Sequence, residues 1–211
     1  MIYDRLYIDA CIQPRRTFNE HKALTKMINR SNIYGKVILM ADRGYESYNN
    51  FSHIEKKGWN YIIRVKDSNS SGILSGINMP NCNEYDVRIH RILTRKQTNK
   101  IKENPDIYRF LSSNVNFDFL KLRSDELFLI DFRIVRFKIS NNSYETVITN
   151  LTQSDFTASE LKMLYTKPWG IETSFRELKY AVGLVNFHAK KQEYIIQEIF
   201  ARLIMYNFAE F

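Results

Sequence analysis

Between Tyr165 and Lys179 the chain reads YTKPWGIETSFRELK, a stretch that holds a phenol, a carboxylate and two cations at helical spacing. An α-helix turns about 100° per residue, so positions seven apart return almost into line. Tyr165, Glu172 and Lys179 then form one polar stripe, bordered by Arg176 one turn beyond Glu172. Leu161, Leu164, Ile171, Phe175 and Leu178 fall on an adjacent stripe, so one side of the element buries itself while the polar groups project along its margin. That placement suits a site at the edge of a core. An ordinary surface helix would use Glu172 and Arg176 as an i,i+4 ion pair worth a few tenths of a kcal/mol.

A second carboxylate stands at the end of another element. VILMA, Val37 to Ala41, is an apolar run too short for a helix and bounded by Gly35 and Asp42, and it reads as a strand buried on both faces. Asp42 follows it, at the strand end where open α/β sheets bind ligands. Aspartate is also a favoured N-cap residue, and a helix is expected from about Tyr45 to Lys57, so Asp42 has a purely structural reading too. Gly58 ends that helix, and Trp59 to Asp67 reads as a strand, giving a βαβ unit with an acidic residue at its mouth.

The spacing Tyr165, Pro168, Glu172, Lys179 resembles the signature of DDE transposases of the insertion-sequence-four type: tyrosine, two residues, arginine, three residues, glutamate, six residues, lysine. Proline replaces the arginine. ADRGYES, Ala41 to Ser47, resembles the segment that carries the second catalytic aspartate of the same family. The resemblance implies an α/β, RNase H-like core interrupted by a β-rich insertion, with Asp42 and Glu172 as the second and third acidic residues. Both would be catalytic and would ligate metal, Mg²⁺ or Mn²⁺, two ions in an intact enzyme. In-line phosphodiester chemistry is helped by two divalent ions about 4 Å apart, and hard Mg²⁺ prefers carboxylate and water oxygens. The resemblance places Tyr165 and Lys179 on DNA phosphates, with Arg176 and Arg43 as further DNA contacts. The implied partner is double-stranded DNA, at transposon ends and target, handled by a homodimer.

The family's first aspartate lies upstream of a strand that corresponds here to Leu6 to Ile12, and the only acidic residues near that strand are Asp4 and Asp9. Asp9 reads as an edge or surface residue. The expectation is therefore a copy lacking the first strands of its core, truncated and inactive. The alternative is a non-catalytic DNA-binding or regulatory fragment that uses the basic insertion and the Lys190, Lys191 pair and acts on a full-length transposase.

Composition agrees with a nucleic-acid partner. The 211 residues carry a formal net charge of +8, which points to a polyanion, nucleic acid before an anionic membrane surface. Hydrophobic residues at 44% and aromatics at 14% argue for a folded core rather than disorder. The sequence has no apolar run of bilayer length and no signal peptide, so the expected place of action is cytoplasmic, at the nucleoid when bound to DNA, with no membrane partner. Two cysteines and four histidines without metal-ligand spacing argue against zinc and read as reduced, buried thiols, Cys11 and Cys82.

The remaining elements follow from pattern. Leu6 to Ile12 alternates as a half-buried strand. A helix starts near Asn19, with Leu24, Met27 and Ile28 inward. Ser68 to Met79 reads as a linker, and Arg88, His90, Arg91, Arg95, Lys96, Lys100 and Lys102 as a phosphate-tracking face. Leu127 to Ile139 alternates with a phase slip that predicts a β-bulge near Ile134 and Val135, and Tyr144 to Thr149 completes a hairpin. Thr157 and Glu160 form a capping box, after which Pro168 either kinks the helix or starts a new one. A last helix, Tyr194 to Phe208, reads as core packing. The expected division is 1–68 and 151–211 as the two parts of the core, with 69–150 as the insertion.

Overall fold

The computed structural model describes residues 1–3, 6–66, 72–166, 176–180, 183 and 186–210. Glu172 and Pro168 lie outside the described residues, as do Ile171, Phe175, Asp4 and Asp67. The chain divides into two compact units, residues 20–165 and residues 1–19 with 166–211.

The larger unit is a mixed α/β structure around one six-stranded sheet. Its strands are β3 (Ile38–Ala41), β4 (Asn60–Arg64), β5 (Tyr85–Thr94), β6 (Tyr108–Phe110), β7 (Leu127–Ser140) and β8 (Ser143–Thr149), in the order β3-β4-β8-β7-β5-β6. The β3–β4 and β5–β6 pairs are parallel and the others antiparallel. Strands from 69–150 thus continue the sheet that β3 and β4 begin.

Helices cover both faces. On one, α1 (Glu20–Arg30) inserts Leu24 and Ile28, and α2 (Tyr48–Lys56) inserts Phe51 and Ile54. Phe51 stacks on Tyr61 at 4.8 Å between ring centroids and lies 6.4 Å from Phe132. On the other face, α4 (Ala158–Thr166) buries Leu161 and Tyr165, and Tyr165 packs 5.8 Å from Phe137. A short helix, α3 (Asn99–Glu103), precedes β6.

Two-sided cover explains the apolar phase slip in β7. Phe132, Arg133, Ile134 and Val135 are all buried, because even positions face α2 while Val135 and Phe137 face α4. The expected bulge at Ile134 and Val135 is absent, since pairing to β8 is continuous there. The register shift falls between Lys138 and Ser140, beside the hairpin turn.

Other expectations are corrected. VILMA is not buried on both faces: β3 is the last strand of the sheet, and Met40 is 46% exposed. Ser68 to Met79 is no free linker in its described part, because Ile73 and Leu74 are buried and the Ile73 amide donates to Glu46 Oε1 at 2.5 Å. Arg91 and Arg95 are buried rather than phosphate-facing. Arg95 donates to the carbonyls of Leu111, Ser112, Val115 and Phe117, and Arg91 to that of Gly76. Arg88 pairs with Asp131 and Lys96 with Asp125. Cys82 is exposed and Cys11 only half-buried, both free thiols.

In the smaller unit, the strand expected over Leu6 to Ile12 shrinks to a two-residue ladder, β1 (Ile2–Tyr3) against β2 (Leu6–Tyr7). The Asn207 side chain takes the strand partner's place, accepting from the Tyr7 amide at 2.7 Å and donating to its carbonyl at 2.8 Å. Asn207 sits on α5 (Gln192–Glu210), whose Leu203 and Tyr206 form a small core with Leu178, Tyr7 and Ile199. The expectation that this helix is core packing holds only in part, since Phe200 and Met205 are 41% and 66% exposed. Among the described residues no helix is long and apolar enough to cross a membrane.

Glu55 on α2 is a carboxylate held against the sheet, where burial pushes its pKa up to about 7 against a partial offset from the Tyr61 hydroxyl, 3.3 Å away. A raised folded-state pKa gives stability that is full below the unfolded value and lost as pH rises through the folded one. Glu55→Gln removes that loss. In urea titrations, the stability of the variant relative to the parent should climb between about pH 4.5 and 7. A gain on the order of 1 to 2 kcal/mol is expected, after discounting for the partly exposed position; a flat difference would contradict the assignment.

Candidate functional site

The site begins with a register. Parallel pairing sets Ala41 opposite Ile63, so the next residues, Asp42 and Arg64, stand side by side where the two strands end. Antiparallel pairing sets Arg64 opposite Val147, which brings Glu145, two residues earlier on the same face of β8, within reach. Arg64 Nε donates to Glu145 Oε2 at 2.6 Å, and one Nη donates to Oε1. The other Nη lies 3.6 Å from Asp42 Oδ1.

The ADRGYES segment divides its work between residues. The Asp42 carbonyl closes a 3₁₀ turn over Arg43–Tyr45 by accepting from the Tyr45 amide at 2.9 Å, but the Asp42 side chain makes no capping bond. Ser47 caps α2 instead, accepting from the Asn49 amide at 3.2 Å. Glu46 accepts from the amides of Lys66 and Ile73, tying the segment to the chain beyond β4. The capping role open to Asp42 from its residue type is therefore taken by Ser47. The Asp42 carboxylate, 59% exposed, is left facing solvent and Arg64.

Tyr165 reaches the same place from α4. The capping box opens that helix as expected: the Thr157 amide donates to Glu160 Oε2 at 2.7 Å and the Glu160 amide to Thr157 Oγ1 at 3.3 Å. The helix runs from Ala158 to Thr166 among the described residues, and Pro168, where a kink or a new helix was expected, lies outside them. Tyr165 lies on the buried face with Leu161, not on the projecting margin that the stripe suggested. Burial, then the Glu145 and Asp42 carboxylates, raise its pKa against the opposing pull of Arg64 and Arg43. The phenol stays protonated at neutral pH and can donate a hydrogen bond.

The structure thus brings Asp42, Arg43 and Tyr165 into one electrostatic neighbourhood and adds Arg64 and Glu145, which motif reading missed. Arg64 was visible as the one charge inside the otherwise apolar run YIIRV, at the strand end next to Asp42. Nothing local marks Glu145. Lys179 and Arg176 belong to the smaller unit, where both are exposed on helical residues 176–180.

Among the described residues no three His, Cys, Asp or Glu side chains form a metal-binding group. Asp42 has the character of a ligand for a hard cation, an open carboxylate released from capping. Glu145 is engaged through both oxygens.

An open carboxylate at a strand end, with a neutral phenol and arginines around it, is chemistry suited to phosphate esters. The family model described as the transposase DDE domain matches residues 12–208, nearly the whole chain, and the chain belongs to that family. Its function is accordingly in DNA transposition, with DNA as substrate. No curated protein matches the chain.

The division of labour in ADRGYES has a stability signature. Ser47→Ala should cost about 1 kcal/mol through the lost cap, whereas Asp42→Asn should cost under about 0.5 kcal/mol, an exposed ion pair being weak. Chemical denaturation of both variants measures this, and a larger loss in Asp42→Asn would mean that its carboxylate is structural.

Proposed function

We propose that the chain is the DDE domain of an insertion-sequence-four-type transposase with an RNase H-like core, in which Asp42 and Glu172 are the second and third catalytic carboxylates. The observation that carries the reading is the Asp42 carboxylate, open and uncapped at the end of β3, with Tyr165 electrostatically coupled to it from a motif far along the chain. When bound, Mg²⁺ or Mn²⁺ would polarise the phosphate and the attacking oxygen. Asp42 and Glu172 would hold the ions. Tyr165 donates a hydrogen bond to a phosphate oxygen, and Arg43, Arg176 and Lys179 add positive charge along the DNA backbone, Lys179 as a point charge.

Residues 1–68 and 151–211 are then core, residues 69–150 insertion, and the chain acts in the cytoplasm, at the nucleoid, as part of a dimeric complex. A purely DNA-binding fragment is the weaker reading, since Arg91 and Arg95 of the basic insertion are buried in carbonyl contacts.

Two measurements test the proposal. Purified chain with supercoiled plasmid and Mg²⁺ or Mn²⁺ should not cut DNA at a useful rate, because among the described residues no three carboxylates gather at Asp42. Cleavage that disappears in Asp42→Asn with Glu172→Gln would show the site to be complete. Duplex binding should weaken steeply with salt, and Lys179→Gln should lower the log–log slope by about 0.9, one phosphate's worth of counterion release. An unchanged slope would remove Lys179 from the DNA contact.

A further inference from the structure

Arg64 divides its guanidinium between two carboxylates unequally. Glu145 is 13% exposed and takes two charge-assisted bonds, whereas Asp42 is 59% exposed and has one contact at 3.6 Å. Bidentate arginine–carboxylate pairs are the stronger kind, and a long contact to an exposed carboxylate is readily exchanged. Resting on the reading of Asp42 as a metal ligand, we propose that Arg64 is its resident counter-ion and positioning residue. Arg64 neutralises Asp42 in the metal-free protein and yields it to a divalent cation while staying anchored on Glu145.

The geometry makes Glu145 the control on that exchange. With both carboxylates present, the two bonds to Glu145 hold the guanidinium to a single 3.6 Å contact with Asp42, so a cation meets only partial competition. Without Glu145, Arg64 has only Asp42 to pair with and competes directly. Without Arg64, the cation meets no repulsion, and Glu145 becomes a second oxygen donor in reach. The two substitutions should therefore shift metal affinity in opposite directions, although both remove one partner of the same ion pair. A role limited to holding the sheet together would shift both the same way.

The test is a Mn²⁺ titration of the full chain, free ion read by electron paramagnetic resonance, with circular dichroism as the check on folding. Arg64→Gln should bind about tenfold more tightly, the scale of removing one unit charge about 6 Å from a divalent ion in a water-like dielectric. Glu145→Gln should bind several-fold more weakly. Arg64→Lys keeps the charge but cannot grip Glu145 through two bonds, so it too should weaken binding, and with Glu145→Gln it decides the matter if Arg64→Gln does not fold. Asp42→Asn separates this inference from the reading beneath it. Binding unaffected by Asp42→Asn overturns the metal assignment itself. Binding lost in Asp42→Asn but unchanged or strengthened in Glu145→Gln or Arg64→Lys overturns the counter-ion role and leaves the metal assignment standing.

Discussion

The packing of Phe51 against Tyr61 and Phe132 holds the larger unit in register. Those rings sit at 4.8 and 6.4 Å from Phe51, and all three side chains are fully buried. Burying a side chain of this size stabilises by roughly 1.5 to 3 kcal/mol, so a slip of one residue in β4 or β7, which would turn Tyr61 or Phe132 to the opposite face, is strongly disfavoured. The same alternation that points Tyr61 and Ile63 at α2 points Ile62 and Arg64 away from it. The position of Arg64 beside Asp42 and Glu145 is thus set by apolar contacts on the other side of the sheet.

Three arginines of the larger unit, Arg91, Arg95 and Arg133, are buried inside it. Arg133, 2% exposed, forms a paired contact with Asp86 and donates to the carbonyls of Phe156 and Thr152, joining the sheet to the segment that leads into α4. Arg95 gathers four carbonyls of the 111–117 segment. Burying a guanidinium is costly unless its donors are met, and the loop carbonyls take up both Nη groups of Arg95 while its Nε stays without a partner. A net charge of +8 therefore overstates the cationic surface available to DNA.

A carboxylate has to be spared structural duty if it is to bind a metal or substrate. The ADRGYES turn shows how neighbouring residues achieve this. Ser47 takes the cap, Glu46 takes the two amides of the chain beyond β4, and the backbone of Asp42, not its side chain, closes the turn. Holding the turn by these four hydrogen bonds leaves one carboxylate exposed at a fixed place.

Local pattern alone determined a good part of this protein. The strand–helix–strand unit around Asp42, the β7–β8 hairpin and the Thr157–Glu160 capping box are all contiguous in sequence, where periodicity and side-chain chemistry act directly. Two short motifs were enough to mark the family. Tertiary structure alone decided which charges are available. Arg91 and Arg95 look like their exposed neighbour Lys100 in the sequence, and only the loops folded over them bury them. It also decided that β3 lies at the edge of the sheet among the described residues, that Asn207 completes the backbone bonding of Tyr7, and that Glu145 shares Arg64 with Asp42. Those facts depend on pairing between residues far apart in the chain, and a hydrogen bond across such a distance leaves no period or spacing in the sequence to read.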